Sequence, residues 1–514
     1  MAVPVRGGAG ITADHLVGRE RESDVVHGLL TDPGGPRLVL VRGERGVGRT
    51  VFVNKVAERL RAEGVLVRAV SSVPGDGARP YLLALRLVMA VEERRPAEAL
   101  RAAGRGDGTV TAALLRTALA RPAPMVVVLD DIQHADPESL ALLAGTDFTG
   151  VPSGVRVVAS AVGRGEATTA HLSGVQGSRT IALSRLTPDE TTTVVTARLG
   201  AVPDTGLVRR VRDLTRGVPG AVDSLLAEWA RQGVIRVADG HAFVGVRTPT
   251  PVLRDSDRFL RALDALGEPC RTVAGALAVL WPLGVRAVPL IAGSAGLSTG
   301  QVRDTIGELV DGEIVEELPG PEGGAAQGWA FAVPLVAHAL RERLGPLERS
   351  RLSATAVETL WADADADAAG IASEGKPPTT VGLDAADAVA YLADRIAEAG
   401  TLVERGRAAA ELTVAAERLH PDSEGRGMLR WCRAAGHLVE RPADRVPRSS
   451  AVAAANRLAV SWSSSRPTTW TGAHCPDWPR SSGGTNCRCP SWPPRPAGRW
   501  PCASWRDGAR HWTC

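Results

Sequence analysis

The sequence predicts an α/β domain built on a parallel sheet, followed by a largely helical region and a disordered C-terminal tail. Three observations favour this organisation. In roughly the first 190 residues, short β-branched runs alternate with helical stretches, as in a parallel sheet covered by helices. From about Pro188 the apolar pattern becomes almost wholly helical. After Val460 there is no Leu, Ile, Val, Phe or Met, so this segment cannot bury an ordinary apolar core.

Composition limits the possible functions. The chain has 514 residues, enough for roughly two to four domains, and its net charge of +3 gives no argument for nucleic-acid binding. Met1–Gly10 lacks the apolar segment of a secretion signal, and no stretch approaches the roughly 18 to 20 apolar residues that cross a bilayer. Only Cys270 and Cys432 precede residue 445, which argues against a disulfide framework there. We therefore expect a cytoplasmic protein that makes no membrane contact.

The strands of the α/β domain are predicted from continuous apolar runs, which indicate burial on both faces of a sheet. These runs are residues 37–42, 65–70, 125–129 and 155–159, with 180–183 as a further candidate. Phe52, Val56 and Leu60 follow the first run at helical spacing, so a helix is expected over residues 50–62, before Gly64.

A glycine-rich loop joins the first strand to this helix. Its sequence, Gly43-Glu-Arg-Gly-Val-Gly-Arg-Thr50, matches the phosphate-binding pattern G-x-x-x-x-G-K-[ST] except at one position. The glycines let backbone N–H groups approach phosphate oxygens at the helix N-terminus, and Thr50 would place its hydroxyl on Mg²⁺. The loop residues expected to bind ATP are Gly43, Glu44, Arg45, Gly46, Val47, Gly48, Arg49 and Thr50. The alternative is a strand-to-helix turn that binds no ligand.

The departure from the pattern is Arg49, where the motif has a Lys that reaches the β- and γ-phosphates. Arginine keeps the positive charge, but its planar guanidinium is wider than an ammonium group. We expect ATP binding to be weakened but retained, and hydrolysis to be slow or absent.

Two acidic residues end the strand at 125–129, about 80 residues after the loop. This strand is expected to lie beside the loop strand, so Asp130 would help Thr50 to hold Mg²⁺. Asp131 is the candidate catalytic residue, because it could polarise an attacking water. Arg164, which follows a strand ending near Ser160, is a candidate sensor of the γ-phosphate or simply an exposed loop residue. Acids at a strand end are also common as solvated caps.

The region after residue 190 contains recognisable helices and one mixed unit. Helices are expected over 188–199, 206–214 and 221–232. A helix at 299–309, with strands at 314–318 and 329–333, has the order of a winged-helix unit. The predicted segments are an N-terminal extension (1–13), the α/β core (14–190), a helical lid (191–246), a winged-helix-like domain (255–345), a helical, repeat-like region (346–445) and the disordered tail (446–514).

Three segments carry a resemblance to a known family. They are Leu16-Val-Gly-Arg-Glu20, Leu129-Asp-Asp-Ile-Gln-His-Ala-Asp136 and Arg216-Gly-Val-Pro219. Their order resembles that of signal-transducing AAA-like P-loop ATPases and, more narrowly, large ATP-binding regulators of the LuxR type. Phe331–Leu340 is similar to the end of their winged helix, although Val333 stands where a His is usual.

The resemblance implies a switch between ATP and ADP, with Pro219 near the nucleotide base. It also implies a helical-repeat sensor for an unknown inducer ligand or protein, self-association, and a C-terminal helix-turn-helix for promoter DNA. Nothing after residue 440 has a helix-turn-helix pattern, so DNA is not expected as a partner of this polypeptide. In the winged-helix segment the arginines alternate with glutamates, so no basic face is expected there either.

The tail after Val460 holds seven of the 12 Trp and five of the 7 Cys residues. We interpret it as the product of a reading-frame slip near residues 440–460. A zinc site is the less favoured alternative, because Cys487-Arg-Cys489 lacks a paired C-x₂-C spacing. Three other functions stay open, namely a DNA-binding regulator in another reading frame, a small-molecule P-loop kinase and an inert gene remnant.

Overall fold

The computed structural model describes residues 18–91, 101, 106–120, 124–145, 154–163, 172, 177–245, 248–320, 326–369, 380–418 and 426–439. The chain divides into two units, Met1–Arg457 and Leu458–Cys514, and every described residue lies in the first. The predicted N-terminal extension and the predicted disordered tail, with its zinc alternative, lie outside the described residues.

Five parallel strands form the central sheet. They are β1 (Leu38–Gly43), β2 (Leu66–Ser71), β3 (Met125–Asp130), β4 (Val155–Val162) and β5 (Ser178–Leu183). Their order across the sheet is β2-β3-β4-β1-β5, and each neighbouring pair is parallel. The predicted α/β class with a parallel sheet is therefore confirmed.

The expectation that the strand ending in Asp130 lies beside the loop strand is wrong. Strand β4 lies between them, pairing with β1 through Val41 and Ser160 and with β3 through Val128 and Val158. Continuous apolar runs show that both faces of a strand are buried, but they carry no information on lateral order.

Helices cover both faces of the sheet. They are α1 (Glu20–Thr31), α2 (Arg49–Ala62), α3 (Leu82–Val91), α4 (Gly108–Leu119) and α5 (Pro137–Ala144). Because side chains alternate along a strand, Val39 and Val41 of β1 pack with α1 and α2, whereas Leu38 and Leu40 pack with α3, α4 and α5. These two apolar layers fix β1 and the loop that follows it.

The remainder of the described chain is mainly helical, as predicted. Its helices are α6 (Pro188–Leu199), α7 (Thr205–Thr215), α8 (Pro219–Arg231), α9 (Arg258–Ala265), α10 (Glu268–Leu280), α11 (Ala287–Ala295), α12 (Thr299–Asp311), α13 (Pro334–Arg343), α14 (Pro346–Ala368), α15 (Ala385–Ala399), α16 (Arg405–Arg418) and α17 (Arg426–Val439). Strands β9 (Val315–Leu318) and β10 (Gly328–Phe331) form an antiparallel pair after α12, in the predicted order of elements.

One small sheet was not predicted. Strands β6 (Val202–Pro203), β7 (Ile235–Ala238) and β8 (His241–Val244) form it, in the order β6-β8-β7. Asp239 and Gly240 form the β7–β8 turn with left-handed φ values of 49° and 77°. Asp-Gly is a strong signal for such hairpins, but these strands of four residues or fewer are too short for a clear apolar alternation.

Among the described residues, one helical stretch, Glu268–Ala295, is long and apolar enough to cross a membrane, contrary to our expectation. In this structure 72% of its most apolar window is buried inside the protein. The stretch is also interrupted at Gly284, whose φ of 57° and ψ of −136° are not helical. A Cβ atom at this glycine would lie 2.2 Å from the Gln327 carbonyl oxygen. The stretch therefore serves as core helices that meet the β9–β10 pair.

Candidate functional site

The glycine-rich loop lies between β1 and α2. Gly46 and Gly48 have left-handed φ values of 80° and 96°, which a residue with a side chain rarely adopts. A Cβ atom at Gly46 would lie 2.7 Å from Cζ of Phe259. Within the described chain, no acceptor pairs with the backbone amides of Gly46 and Gly48. Two loop amides at a helix N-terminus are therefore unpaired, as a phosphate site requires.

Arg49, in the Lys position of the motif, folds back onto the loop. It is 8% exposed, and its Nη1 donates a hydrogen bond of 2.8 Å to the Gly43 carbonyl oxygen. Its Nη2 lies 3.5 Å from Oδ1 of Asp131. Burial lowers the pKa of the Arg49 guanidinium, and the Asp131 carboxylate opposes that shift. The guanidinium is thus bound to the Gly43 carbonyl oxygen and the Asp131 carboxylate, which both belong to the candidate site.

Two acidic residues at the end of β3 are joined by a serine that our sequence reasoning missed. Ser160 of β4 is fully buried, and its hydroxyl donates a hydrogen bond to Oδ1 of Asp130. The same hydroxyl accepts from the Asp131 N–H at 2.9 Å. Asp131 has a left-handed φ of 54°, so the chain changes direction directly after Asp130, the last residue of β3. No sequence signal marked Ser160, because its role depends on β4 lying next to β3.

Gln133 completes this arrangement. Its Nε2 donates a 2.9 Å hydrogen bond to Oδ1 of Asp131, and its Oε1 accepts from the Val162 N–H at 3.3 Å. Oδ1 of Asp131 is therefore contacted by both the Gln133 amide and the Arg49 guanidinium. Gln133 lies inside the segment that carried the family resemblance, which was the available signal.

Asp136, in the same segment, has a structural role. It is fully buried and accepts hydrogen bonds from the backbone N–H groups of Tyr81 (2.7 Å), Leu83 (3.0 Å) and Ser139 (2.8 Å). It caps α5 and ties this helix to the start of α3. Its position directly before Pro137 is a typical N-cap signal.

The other predicted site residues are placed as follows. Thr50 is exposed in the first turn of α2, Val47 is buried, and Oε2 of Glu44 accepts a 2.7 Å hydrogen bond from Arg185 Nε. Pro219 begins α8, and the next residue, Gly220, donates its N–H to the Gly46 carbonyl oxygen at 2.8 Å. Arg164 lies outside the described residues.

A contact from the segment that follows α12 reaches the loop, and sequence reasoning missed it. The Arg45 N–H donates a 2.6 Å hydrogen bond to Oε2 of Glu313, 268 residues away. Arg45 Nε also donates to the Gly312 carbonyl oxygen at 3.3 Å. Residues of the loop and of this segment line a small open cleft beside these contacts, and Val333 is also among its lining residues.

Comparison with known proteins supports the interpretation of the loop. A family model described as an AAA ATPase domain matches residues 15–146. The N-terminal part of the chain is an AAA-like P-loop domain.

Among solved structures, the chain is similar to Orc1 of Aeropyrum pernix in complex with DNA (19% identity, TM-score 0.37, 64% of this chain and 94% of that one). It is similar to Cdc6p of Pyrobaculum aerophilum (16% identity, TM-score 0.34, 67% and 97%). A third similarity is to a signal transduction ATPase with numerous domains and a tetratricopeptide repeat sensor from Pyrococcus horikoshii (14% identity, TM-score 0.32, 85% and 66%). Likenesses this distant say nothing about ligands or partners. No curated protein matches the sequence.

The predicted Mg²⁺ donors of the AAA-like domain are the Thr50 hydroxyl and the Asp130 carboxylate. Among the described residues, no three His, Cys, Asp or Glu side chains cluster closely enough to hold a metal ion. Mg²⁺ in nucleotide sites is usually bound by one or two protein oxygens together with phosphate oxygens and water. Thr50 and Asp130 fit that pattern, in which the metal arrives with the nucleotide.

Proposed function

We propose that this protein is an ATP-binding regulatory switch of the kind represented by LuxR-type ATP-binding regulators, acting in the cytoplasm. ATP, ADP and Mg²⁺ are its proposed ligands, and DNA is not proposed as a partner of this polypeptide. The observation that carries the proposal is the P-loop with two unpaired amides, at Gly46 and Gly48, within an AAA-like domain.

Each part of the site has a proposed role. The loop amides and the α2 N-terminus bind phosphate oxygens, and Thr50 and Asp130 hold Mg²⁺. When bound, Mg²⁺ neutralises part of the phosphate charge. Asp131 positions the attacking water, because Gln133 and Arg49 fix its carboxylate.

Arg49 is the reason for proposing weak binding and slow or absent hydrolysis. To reach a phosphate, its guanidinium must leave both the Gly43 carbonyl oxygen and the Asp131 carboxylate. The free energy gained from the phosphate contact is then reduced by the loss of these two contacts, so the affinity for the nucleotide is lower.

The regulatory part of the proposal rests on contacts between the loop and later segments. Gly220, which follows Pro219, bonds to Gly46, so a nucleotide base near Pro219 would bias the packing of α8 on the loop. We propose that segment 255–345 acts as a winged-helix switch element. The region 346–445 is proposed to sense an inducer ligand or protein and to take part in self-association.

Calorimetric titration of the full chain with ATP and ADP, each with Mg²⁺, tests this function. We expect micromolar binding that Thr50→Ala weakens by about tenfold or more, as does Asp130→Asn. Thr193→Ala is the matched control, because Thr193 is exposed on α6 and its hydroxyl bonds to its own helix, at the Asp189 carbonyl oxygen. Absence of binding to either nucleotide would favour an inert gene remnant.

A further inference from the structure

Glu313 occupies an unusual position for a charged residue. It follows Gly312, at the C-terminal end of α12, with a left-handed φ of 56°. That conformation favours glycine, and helices commonly end on a glycine in this position. Glu313 is nevertheless only 8% exposed. The chain thus places a carboxylate where a residue without a side chain would fit the backbone better.

The carboxylate of Glu313 is only half satisfied. Oε2 accepts the 2.6 Å hydrogen bond from the Arg45 N–H, whereas Oε1 is buried and has no hydrogen-bond partner in the described part of the chain. Burial raises the pKa of Glu313, and the Arg45 amide and the Arg49 charge oppose that shift. A buried carboxylate with a free oxygen is costly, so the stability of the fold does not account for it.

The donor it uses belongs to the phosphate-binding loop. A carboxylate oxygen and a phosphate oxygen are both anionic acceptors of backbone N–H groups. If the Glu313 carboxylate and a phosphate lay together beside Arg45 and Arg49, they would repel each other in a poorly solvated site. Only one of them can take the Arg45 amide.

Neighbouring contacts hold the segment around Glu313 against the core. Three residues further on, Oε2 of Glu316 accepts a 2.9 Å hydrogen bond from Arg185, and Arg216 pairs with its other oxygen. Arg185 also bonds to Glu44 of the loop at 2.7 Å. A ligand that displaces Glu313 therefore acts on a segment that is also bound, through Glu316, to Arg185 and Arg216.

We propose that the Glu313 carboxylate is an intramolecular competitor of phosphate, so that a nucleotide binds only after Glu313 has left the Arg45 amide. This inference rests on the proposed function and adds its regulation. Because coupling between two binding events is reciprocal, a bound phosphate loosens segment 312–318, and loosening that segment raises the affinity for phosphate. The competition applies to ATP, ADP and inorganic pyrophosphate alike, because it concerns the phosphate and not the base.

Calorimetry on the full chain with MgATP and with pyrophosphate is the first test. Glu313→Gly removes the carboxylate and suits the left-handed backbone, so we expect affinity for both ligands to rise about tenfold. Glu313→Gln keeps the shape and a neutral acceptor, so its increase should be smaller. Glu317→Gln is the matched control, because it removes the same charge from an exposed position on β9 and should leave affinity unchanged.

Hydrogen exchange of residues 43–50 and 312–318 is the second test, and it does not depend on the size of a binding constant. We expect faster exchange in both segments of Glu313→Gly without ligand, and faster exchange in 312–318 of the native protein when MgATP is added. Circular dichroism checks that each variant is folded. If Glu313→Gly does not fold, Glu313→Gln decides.

The outcomes separate the two ideas. Binding by the native protein that Glu313→Gly leaves unchanged overturns the competition and leaves the proposed function standing. Binding seen only after Glu313 is replaced supports the competition and shows that the loop can bind phosphate, which contradicts an inert gene remnant. If neither the native protein nor the variants bind ATP or pyrophosphate, the proposed function fails and the competition fails with it.

Discussion

Two glutamates that follow the central sheet differ in how their charge is satisfied: Glu313, which is buried, and Glu398, whose side chain is 10% exposed. Glu398 of α15 accepts hydrogen bonds from Ser353 (3.1 Å) and Arg430 (3.1 Å), and Arg395 lies 2.9 Å away. Burial raises the pKa of Glu398, but the nearby arginines outweigh burial and hold it below its usual value.

For Glu313 the balance is reversed. Burial outweighs the Arg45 amide and the Arg49 charge, and the pKa is raised. The difference teaches that burial alone does not show what a carboxylate does. Glu398 joins helices permanently, whereas Glu313 is held weakly enough to be exchanged for another anion.

The largest effect is expected from breaking the ion-pair cluster around Glu398. Glu398→Gln leaves the guanidinium of Arg395, which is 2% exposed, without its charged partner, so we expect a loss of about 3 kcal/mol in the free energy of unfolding. Urea unfolding followed by circular dichroism measures it. Glu411→Gln, which breaks a 3.8 Å pair with Arg407 at the surface, is the control and should change little. A loss as small as the control's would remove the distinction between the two glutamates.

The second largest loss of stability is expected from replacing fully buried serines, one beside the acids of β3 and one beside Glu398. Ser160→Ala removes the hydroxyl shared by Asp130 and Asp131, and we expect it to cost about 2 kcal/mol of stability. Ser353→Ala removes one of several partners of Glu398 and should cost about 1 kcal/mol. Urea unfolding of both variants shows which one loses more stability. A larger loss for Ser353→Ala would mean that the acids at the end of β3 depend less on their serine than Glu398 does on its own.

Replacing the half-satisfied glutamate should cost least. Glu313→Gln removes a buried charge that has one unpartnered oxygen, so we expect the free energy of unfolding to stay within about 1 kcal/mol of the native value. The same urea experiment applies. A loss as large as that of Glu398→Gln would show that Glu313 is also a permanent structural contact.

The two glutamates should also respond to pH with opposite signs. The folded pKa of Glu398 lies below the ordinary value of 4.5, so its stabilisation is present above that value and is lost as pH falls through the folded pKa. The folded pKa of Glu313 lies above 4.5, so its contribution is most favourable below 4.5 and is lost as pH rises through the folded pKa.

Stability measured between pH 3 and pH 7 for the native protein and each Gln variant shows these trends. On acidification, the free energy of unfolding of the native protein should fall relative to that of Glu398→Gln. It should rise relative to that of Glu313→Gln. The arginines Arg395, Arg341 and Arg430 set the sign for Glu398. For Glu313 burial sets the sign, and Glu44 acts in the same direction while Arg45 and Arg49 oppose it. Parallel trends for the two variants would contradict this assignment.

The sequence predicted the elements of the core better than their arrangement. The strand expected at 125–129 is observed at Met125–Asp130, and the helix expected at 50–62 begins one residue earlier, at Arg49. Apolar periodicity is local and can be read from a window of residues. The position of β4 between β1 and β3 is a long-range property that no such window contains.

The candidate site shows the same limit. The loop and the two acids at the end of β3 were found from spacing, and the structure brings Arg49 within 3.5 Å of Asp131. Ser160 and Glu313 were missed, because each acts through a partner far away in the sequence. In the case of Glu313, that partner is a backbone amide, which has no residue identity to detect.

The break at Gly284 has a consequence for genetics. Any side chain there would meet the Gln327 carbonyl oxygen, which also accepts a 3.0 Å hydrogen bond from the Val285 N–H. Even one methyl group would push the chain at Gln327 away from Gly284. Strand β10, which begins at the next residue, and its partner β9 would then be displaced. A saturation library at codon 284, selected for a folded product, should therefore return glycine almost alone, although this residue touches neither the loop nor its acids.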